Sequence, residues 1–204
     1  MMGAKSGLVF LGEGRPAEVL KTLPEPDPER SAALADTILG GAVASAGTRV
    51  LGEGGVWPER GTVCVGAYDG FALVGYDRLG PDRPSDISGW IDAVSPTGGA
   101  HGVFMHSVVD YCAFAVWEGG ELRRSVSLAP DSGVMEDLGD RLSFEAPFWD
   151  GKHPMDEGYP LPFHPLEFGE AALGACFGFG IEGDPSTYEF DPFAFTVPAF
   201  RLAE

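Results

Sequence analysis

The hydrophobic pattern in the middle of the chain predicts an antiparallel β-meander over residues 101–130. Three apolar runs are separated by turn residues, first near Val109 and Asp110 and again at Gly119 and Gly120. The last run alternates between two sets of side chains, apolar at Leu122, Val126 and Leu128 and polar at Arg123, Ser125 and Ser127. Alternation of this kind predicts a sheet with one dry face and one hydrated face.

A β-hairpin is predicted upstream of the meander. Apolar runs at 62–68 and 71–76 are joined by Asp69 and Gly70. Asp-Gly is favoured in two-residue type I′ turns, whose central residues both have positive φ. A further short apolar run at 4–11 predicts a buried strand.

Local capping signals predict helices between these strands. One helix is expected over residues 16–22. The next has Asp27 as its N-cap and Pro28 at its first position, and its apolar face ends at Gly40. A short helix is expected over residues 85–94 and leads into the meander.

The end of the chain predicts one more helix and a strand. The helix begins at Pro165, where a proline is well tolerated at the first position. Phe163 is placed to pack on Phe168 as a hydrophobic staple. The tail at 189–202 is rich in Phe and is predicted to form an edge strand, because Pro198 lacks the amide donor that a central strand needs.

Together these elements predict an α+β fold. Its sheet is mainly antiparallel, with a hairpin and a three-stranded meander, and the helices are expected to pack mostly on one face. The chain is interpreted as a single domain over residues 1–204. A boundary between two lobes would fall near residues 95–100, where SPTGG interrupts the pattern, but each lobe would hold only about 100 residues.

A formal net charge of −18 narrows the classes of partner. A nucleic acid is not expected, because an acidic surface repels a phosphate backbone. No apolar run reaches the roughly 18 residues that span a bilayer, so no membrane partner is expected either. Cys64, Cys112 and Cys176 are widely spaced in apolar runs, which is typical of buried free thiols. Because the N-terminus also lacks a secretory leader pattern, a cytoplasmic location is expected.

Residues 144–165 form a long stretch with neither a helical nor a strand period. The stretch holds five prolines and five aromatic residues. Long irregular loops in compact domains are usually covers or binding loops. In one interpretation the aromatic rings pack down over the sheet as a lid. In the other the prolines hold aromatic anchors rigid for a partner. The candidate anchors are Phe148, Trp149, Tyr159 and Phe163.

Candidate catalytic residues are harder to identify, because the sequence contains no established catalytic motif. The side chains with suitable chemistry for acid–base catalysis, or for a His and carboxylate metal site, are His106, Asp131, Glu145, His153 and His164. On one continuous strand His106 and Asp110 would lie about 13 Å apart, too far for a direct hydrogen bond. Ser132 sits in a turn where serine is common. The sequence therefore predicts no resident metal and no cofactor.

Several stretches of the sequence resemble a bacterial family. They are MHSVVDYCAFAVWEGGELRRSVSLAPDSGV, LSFEAPFWDGKHP, YPLPFHPLEFGEAAL and the N-terminal MGAKSGLV. These stretches resemble an uncharacterised family of actinobacterial proteins classed as a domain of unknown function, over nearly the whole chain. The resemblance implies an intracellular bacterial protein. It assigns no catalytic or binding residue.

The function predicted from the sequence is that of a non-catalytic binding or interaction module. Loop 144–165 would contact an unknown protein or a small molecule. The alternative is a small-molecule hydrolase or a metal-dependent enzyme with a His and carboxylate site. A third interpretation is a homodimer joined through the aromatic loop.

Overall fold

Nine strands form one sheet in the computed structural model, which describes residues 4–203. The strands are β1 Lys5–Leu11, β2 Val43–Val50, β3 Val63–Ala67, β4 Ala72–Tyr76, β5 Ala100–His106, β6 Tyr111–Glu118, β7 Glu121–Ala129, β8 Gly133–Leu138 and β9 Thr196–Leu202. Their order in the sheet is β2-β9-β3-β4-β1-β5-β6-β7-β8, and each neighbouring pair is antiparallel. The fold is therefore of the α+β class with an antiparallel sheet, as predicted.

The helices lie against both faces of this sheet. They are α1 Pro16–Leu20, α2 Pro28–Leu39, α3 Ser88–Val94, α4 Ala146–Trp149 and α5 Pro165–Phe177. Successive residues of a strand point to opposite faces. Leu8 and Phe10 pack with α1, α4 and α5, on what we call the α5 face. Val9 and Leu11 pack with α2 and α3, on the α2 face. The expected placement of the helices mostly on one face is not confirmed, because the strands are apolar on both sides.

α2 and α5 begin at Pro28 and Pro165, the first helical residues predicted from the sequence. The Asp27 carboxylate accepts a hydrogen bond from the amide of Arg30 at 3.0 Å. His164 is the N-cap of α5, and its Nδ1 accepts a bond from the amide of Leu166 at 3.2 Å. Each cap satisfies an amide that has no partner within its helix.

A β-bulge in β7 changes the predicted alternation. Trp117 of β6 is opposite Leu122, whereas Val116 is opposite Arg124, so Arg123 is an additional residue in β7. An additional residue reverses the direction of the side chains that follow it. As a result Leu122 packs on the α2 face, and Arg124 points into the α5 face.

The predicted hydrated face of β7 is wrong, because Ser125 and Ser127 are fully buried. Ser125 donates a hydrogen bond to Glu136 of β8, a strand that the sequence did not predict. Ser127 donates to the carbonyl oxygen of Asp82 at 2.6 Å. Hydrogen bonds therefore satisfy these hydroxyls in place of water.

The predicted hairpin is confirmed as β3 and β4, whose last pair is Ala67 and Ala72. The turn type differs from the prediction. Gly70 has φ of 82°, but Asp69 is not among the described residues with positive φ. A type I′ turn needs positive φ at both positions, whereas a type II turn needs it only at the second.

The C-terminal strand β9 is not an edge strand, because it lies between β2 and β3. β3 pairs with β9 only at Phe200 and Ala199, so Pro198 lies beyond that ladder. On its other side Pro198 is opposite Thr48, next to a register shift in β2. At this position the missing amide proton of Pro198 therefore costs few hydrogen bonds between strands. The sequence did not predict β2, which forms one edge of the sheet.

Two further observations concern the predicted organisation. Strands from both sides of residues 95–100 are mixed in the one sheet, since β9 lies between β2 and β3. Within residues 4–203, no helix has both the length and the apolar character needed to cross a bilayer.

Candidate functional site

A cleft of about 500 Å³ lies at the end of the sheet where β1 begins and where β4 and β5 end. Its lining includes Trp57, Asp77, Met105, His106, Asp131 and Met135. A concave site with apolar walls and a few polar groups is the usual form of a small-molecule site. We refer to it below as the cleft.

The cleft begins where two segments cross the start of β1 at Gly7. The amide of Gly7 donates to the carbonyl oxygen of Val56 at 2.9 Å. A Cβ atom at Gly7 would lie only 2.1 Å from the carbonyl oxygen of Tyr76, so no larger residue fits there. This close approach brings the next residue of each segment, Trp57 and Asp77, to the cleft.

Hydrogen bonds to the sheet hold the segment after β4 in place as a wall of the cleft. The buried Tyr111 hydroxyl donates to the carbonyl oxygen of Pro81. Burial raises the pKa of Tyr111, so the hydroxyl keeps its proton and can donate. Arg83 donates to the carbonyl oxygen of Met135 at 3.3 Å. The wall is therefore fixed to β6 and β8 and is not a free loop.

His106 is the central titratable group of the cleft. Its ring meets the Trp57 ring edge-on, with centroids 5.6 Å apart. The Lys5 ammonium lies 5.9 Å from the centroid of the same Trp57 ring. Burial and the nearby charge of Lys5 lower the pKa of His106, so the imidazole is neutral at pH 7. A neutral imidazole offers one hydrogen-bond acceptor.

Two buried polar atoms of cleft residues have no hydrogen-bond partner within residues 4–203. They are Nδ1 of His106 and Oδ1 of Asp77. Most buried polar atoms in proteins are paired, so each exception needs an explanation. Both residues line the cleft, but these two atoms have almost no solvent-accessible area and do not face its open space.

The charge of the cleft is mainly negative. Asp77, Asp82 and Asp131 all belong to its lining, together with the single guanidinium of Arg78. In the described part of the chain none of these four groups forms an ion pair. The acidic side chains are therefore available to a ligand.

Of the candidate catalytic residues, only His106 and Asp131 line the same cavity. Ser132 also lines it, but no hydrogen bond links Ser132 to either of them in the range 4–203. That range also contains no group of three His, Cys, Asp or Glu side chains that could hold a metal ion. The cleft thus brings two candidates together without forming a nucleophile–base pair.

The other three candidate catalytic residues lie outside the cleft and contact groups that belong to the fold. Glu145 is fully buried and forms an ion pair with Arg124 on the α5 face. His153 lies 2.7 Å from Glu167 of α5. His164 caps α5, and its Nε2 is 3.9 Å from Asp110.

The candidate aromatic anchors of loop 144–165 pack against the α5 face. Phe148 and Phe163 are 3% and 0% exposed. Trp149 and Tyr159 are half-buried against the same cluster. The predicted staple is present, since the rings of Phe163 and Phe168 stack with centroids 5.1 Å apart. Apart from the short α4 and a 3₁₀ helix over Ser143–Glu145 the loop is irregular, and most of its aromatic area covers the sheet.

Sequence reasoning missed Trp57, Asp77 and Arg78 as cleft residues. None of them lies in a motif, and only the crossing at Gly7 brings them near His106. The one local signal was Gly7 in the predicted strand 4–11. A glycine allows another segment to approach the backbone closely, but it does not indicate which segment will do so.

A second histidine, His101 of β5, gives a pH-dependent prediction. Burial lowers the pKa of His101 to about 4, whereas the unfolded chain takes up that proton near pH 6.5. Between these values the unfolded state binds more protons, so the contribution of His101 is complete above pH 6.5 and is lost as pH falls towards 4. We expect a loss of about 2–3 kcal/mol in the free energy of unfolding between pH 7 and 4.5 from this group.

Urea unfolding of the native protein and His101→Phe at several pH values measures this contribution. Other titrating groups cancel in the difference between the two proteins. We expect that difference to shift in favour of His101→Phe as pH falls. A difference that is constant between pH 7 and 4.5 would contradict the prediction.

Comparison with known proteins adds a family but no activity. No curated protein and no solved structure matches the chain. The sequence model of a family of unknown function, DUF6928, matches residues 6–200. The resemblance to an uncharacterised family is thereby confirmed, and the match includes every strand from β2 to β8 and the whole cleft wall. The chain therefore belongs to the family of unknown function DUF6928.

Proposed function

We propose that this protein is a non-catalytic binding protein that holds a small polar molecule in the cleft beside His106. One observation carries the proposal: a concave cleft of about 500 Å³ combines the apolar side chains of Trp57 and Met135 with the polar side chains of His106, Asp131 and Ser132. Pockets that bind small molecules usually have apolar walls and a few polar groups that fix the orientation of the ligand.

The cleft is a better binding surface than loop 144–165, which was the surface proposed from the sequence. Two of the four loop anchors, Phe148 and Phe163, have almost no area left to offer a partner. Trp149 and Tyr159 retain some exposed area. A partner protein or a second copy of the chain could use that area, so the experiment must distinguish the two surfaces.

The methionines make that distinction possible. Met105 and Met135 line the cleft, whereas Met155 lies in the loop. We propose labelling the methionine methyl groups with ¹³C and adding 1,4-diaminobutane, succinate, glucose and adenosine in turn. We expect one class of probe to shift the Met105 and Met135 signals while the Met155 signal stays in place.

Two other outcomes would count against the cleft. A shift confined to Met155 would favour the loop surface, and the absence of a shift with every probe would overturn the proposal. A variant that blocks the cleft, Ser132→Trp, should abolish the shifts. Ser186→Trp, at an exposed residue outside the cleft lining, is the matched control.

A hydrolase is the second candidate, because His106, Asp131 and Ser132 line one cavity. A Ser nucleophile needs a base within hydrogen-bond reach during the reaction. Hydrolysis of p-nitrophenyl acetate by the native protein and by His106→Asn separates the two functions. The binding proposal expects equal rates, whereas a large loss in His106→Asn would favour the hydrolase.

The proposal also assigns the protein to a bacterial cytoplasm. Cys64, Cys112 and Cys176 are all free and buried, which supports a reducing compartment. Burial raises the pKa of Cys64 and Cys176 to about 12, so these thiols are unreactive at neutral pH.

A further inference from the structure

We infer that His164 is a pH-sensitive switch: on taking up a proton it exchanges its cap contact with α5 for an ion pair with Asp110, and this loosens the end of loop 144–165. The inference concerns the loop and goes beyond the function proposed for the cleft. It follows from the two partners of one imidazole ring and from the contact of that ring with Tyr159.

The contact between His164 and α5 requires a neutral imidazole. Nδ1 of His164 accepts a hydrogen bond from the amide of Leu166 at 3.2 Å. In a neutral ring one nitrogen accepts and the other carries the proton, whereas both nitrogens of a protonated ring donate. A proton on Nδ1 therefore removes the acceptor and places a positive charge at the positive end of the helix dipole. Both effects weaken the start of α5.

Asp110 offers the protonated ring a second partner. Its Oδ1 lies 3.9 Å from Nε2 of His164, which is too far for a direct hydrogen bond. Asp110 belongs to the turn between β5 and β6, so this partner is part of the sheet and not of α5. A charged imidazole is attracted to the carboxylate, and a rotation of the ring towards it closes the gap. The ring thus has one partner when it is neutral and another when it is charged.

The other titratable groups near His164 do not compete for the charged ring. Among residues 4–203, Asp110 is the only residue whose carboxylate lies within 4 Å of a His164 ring nitrogen. Glu167, in the first turn of α5, lies 2.7 Å from Nδ1 of His153 instead. Burial and the charge of Asp110 raise the pKa of Tyr159, so its hydroxyl is neutral at pH 7.

Tyr159 transmits a movement of the ring to the loop. The Tyr159 and His164 rings stack with centroids 6.0 Å apart and an interplanar angle of 14°. Rotation of His164 towards Asp110 removes this contact, and the segment before α5 then loses two of its attachments. Phe148 and Phe163 stay buried in the aromatic cluster, so the change is confined to the end of the loop.

An NMR titration from about pH 8 to about pH 5, the range in which histidine ordinarily changes charge, tests the inference. The amide proton of Leu166 reports the cap, and the ¹³C-methyl signal of Met155 reports the loop. The two proteins compared are His153→Gln and His153→Gln/His164→Asn, because a proton on His153 would itself move the nearby Met155 signal. We expect both signals to move with pH in the first protein and to stay in place in the second. Asparagine is a good N-cap and does not titrate.

The variant Asp110→Asn tests the second partner. Asparagine tolerates the φ of 47° at this position, so the variant removes the charge and keeps the turn. We expect the Leu166 signal to change at a lower pH than in the native protein, because the charged ring has lost its carboxylate. Asp156→Asn, an exposed aspartate of the same loop, is the matched control and should not alter that pH. This comparison remains valid if the double variant fails to fold.

Three results would count against the switch. A Leu166 signal that moves equally with and without His164, or that does not move when His164 is present, would exclude it. Movement of Leu166 without movement of Met155 would show that the cap responds to pH while the loop does not, which contradicts the loosening of the loop. An identical response in Asp110→Asn and Asp156→Asn would overturn the ion pair.

Discussion

Replacing Arg124 by Met is expected to lower the free energy of unfolding by about 3–5 kcal/mol. Arg124 is 1% exposed, and its Nε donates to Glu145 at 2.8 Å. Its Nη1 donates to Asp137 at 2.6 Å and to the carbonyl oxygen of Leu138 at 2.8 Å. Without the guanidinium, Glu145 would be a fully buried carboxylate without a cation, which is the costly state of a broken buried ion pair. Urea unfolding measures the loss.

Two controls test this explanation. Arg123→Met removes the neighbouring arginine, whose side chain is 54% exposed, and should change stability by less than about 0.5 kcal/mol. The double variant Arg124→Met/Glu145→Met should be less destabilised than the sum of its single variants, because it leaves no uncompensated charge. A loss below about 1 kcal/mol in Arg124→Met would contradict the account.

The Arg124–Glu145 pair also explains why loop 144–165 stays on the sheet. Glu145 accepts hydrogen bonds from the amide of Leu142 at 2.8 Å and from the indole of Trp149 at 3.2 Å. One carboxylate thus joins the bulged strand β7 to the start of the loop. From the sequence, Glu145 was a candidate catalytic acid, but its described contacts are those of a structural residue.

Replacing Phe168 by Ala is expected to cost about 3–5 kcal/mol, the usual loss for a buried phenylalanine. Phe168 of α5 is fully buried and has four aromatic neighbours. The ring centroids lie 5.1–6.3 Å from it and belong to Phe114, Phe144, Phe148 and Phe163. Three of these neighbours are loop residues, so the cavity would loosen the loop from the α5 face as well as lower stability.

Thermal and urea unfolding measure the loss of stability, and the ¹³C signal of Met155 reports the loop. Phe193→Ala, at a ring that is 45% exposed, is the aromatic control and should cost less than about 1 kcal/mol. If Phe168→Ala is as stable as Phe193→Ala, the aromatic cluster does not hold the loop. The cleft signals of Met105 and Met135 give a second comparison within the same sample.

The predictions that succeeded rest on short-range signals. Asp27 with Pro28 marks one helix start through an amide only three residues away, and Pro165 marks another. The hairpin of β3 and β4 follows in the same way from two apolar runs and a two-residue turn. Each of these elements depends on neighbours in the sequence.

The predictions that failed depend on residues far apart in the chain. Pro198 suggested an edge strand, yet β9 inserts between β2 and β3 because the ladders stop short of the proline on one side and shift register on the other. Ser125 and Ser127 suggested a hydrated face, yet their hydroxyls are paired with Glu136 and with the carbonyl oxygen of Asp82. The sequence does not show whether water or another group of the protein forms the hydrogen bond with a serine hydroxyl.

By itself, the sequence determined the class of fold, the helix caps, the central meander and the family. These properties follow from apolar periodicity and from local backbone chemistry, which act over a few residues. Only the tertiary structure decided which side chains meet. The bulge at Arg123 directs Arg124 towards Glu145, and the crossing at Gly7 brings Trp57 and Asp77 beside His106. Both depend on strand register and on close backbone approach between distant segments, which no local pattern encodes.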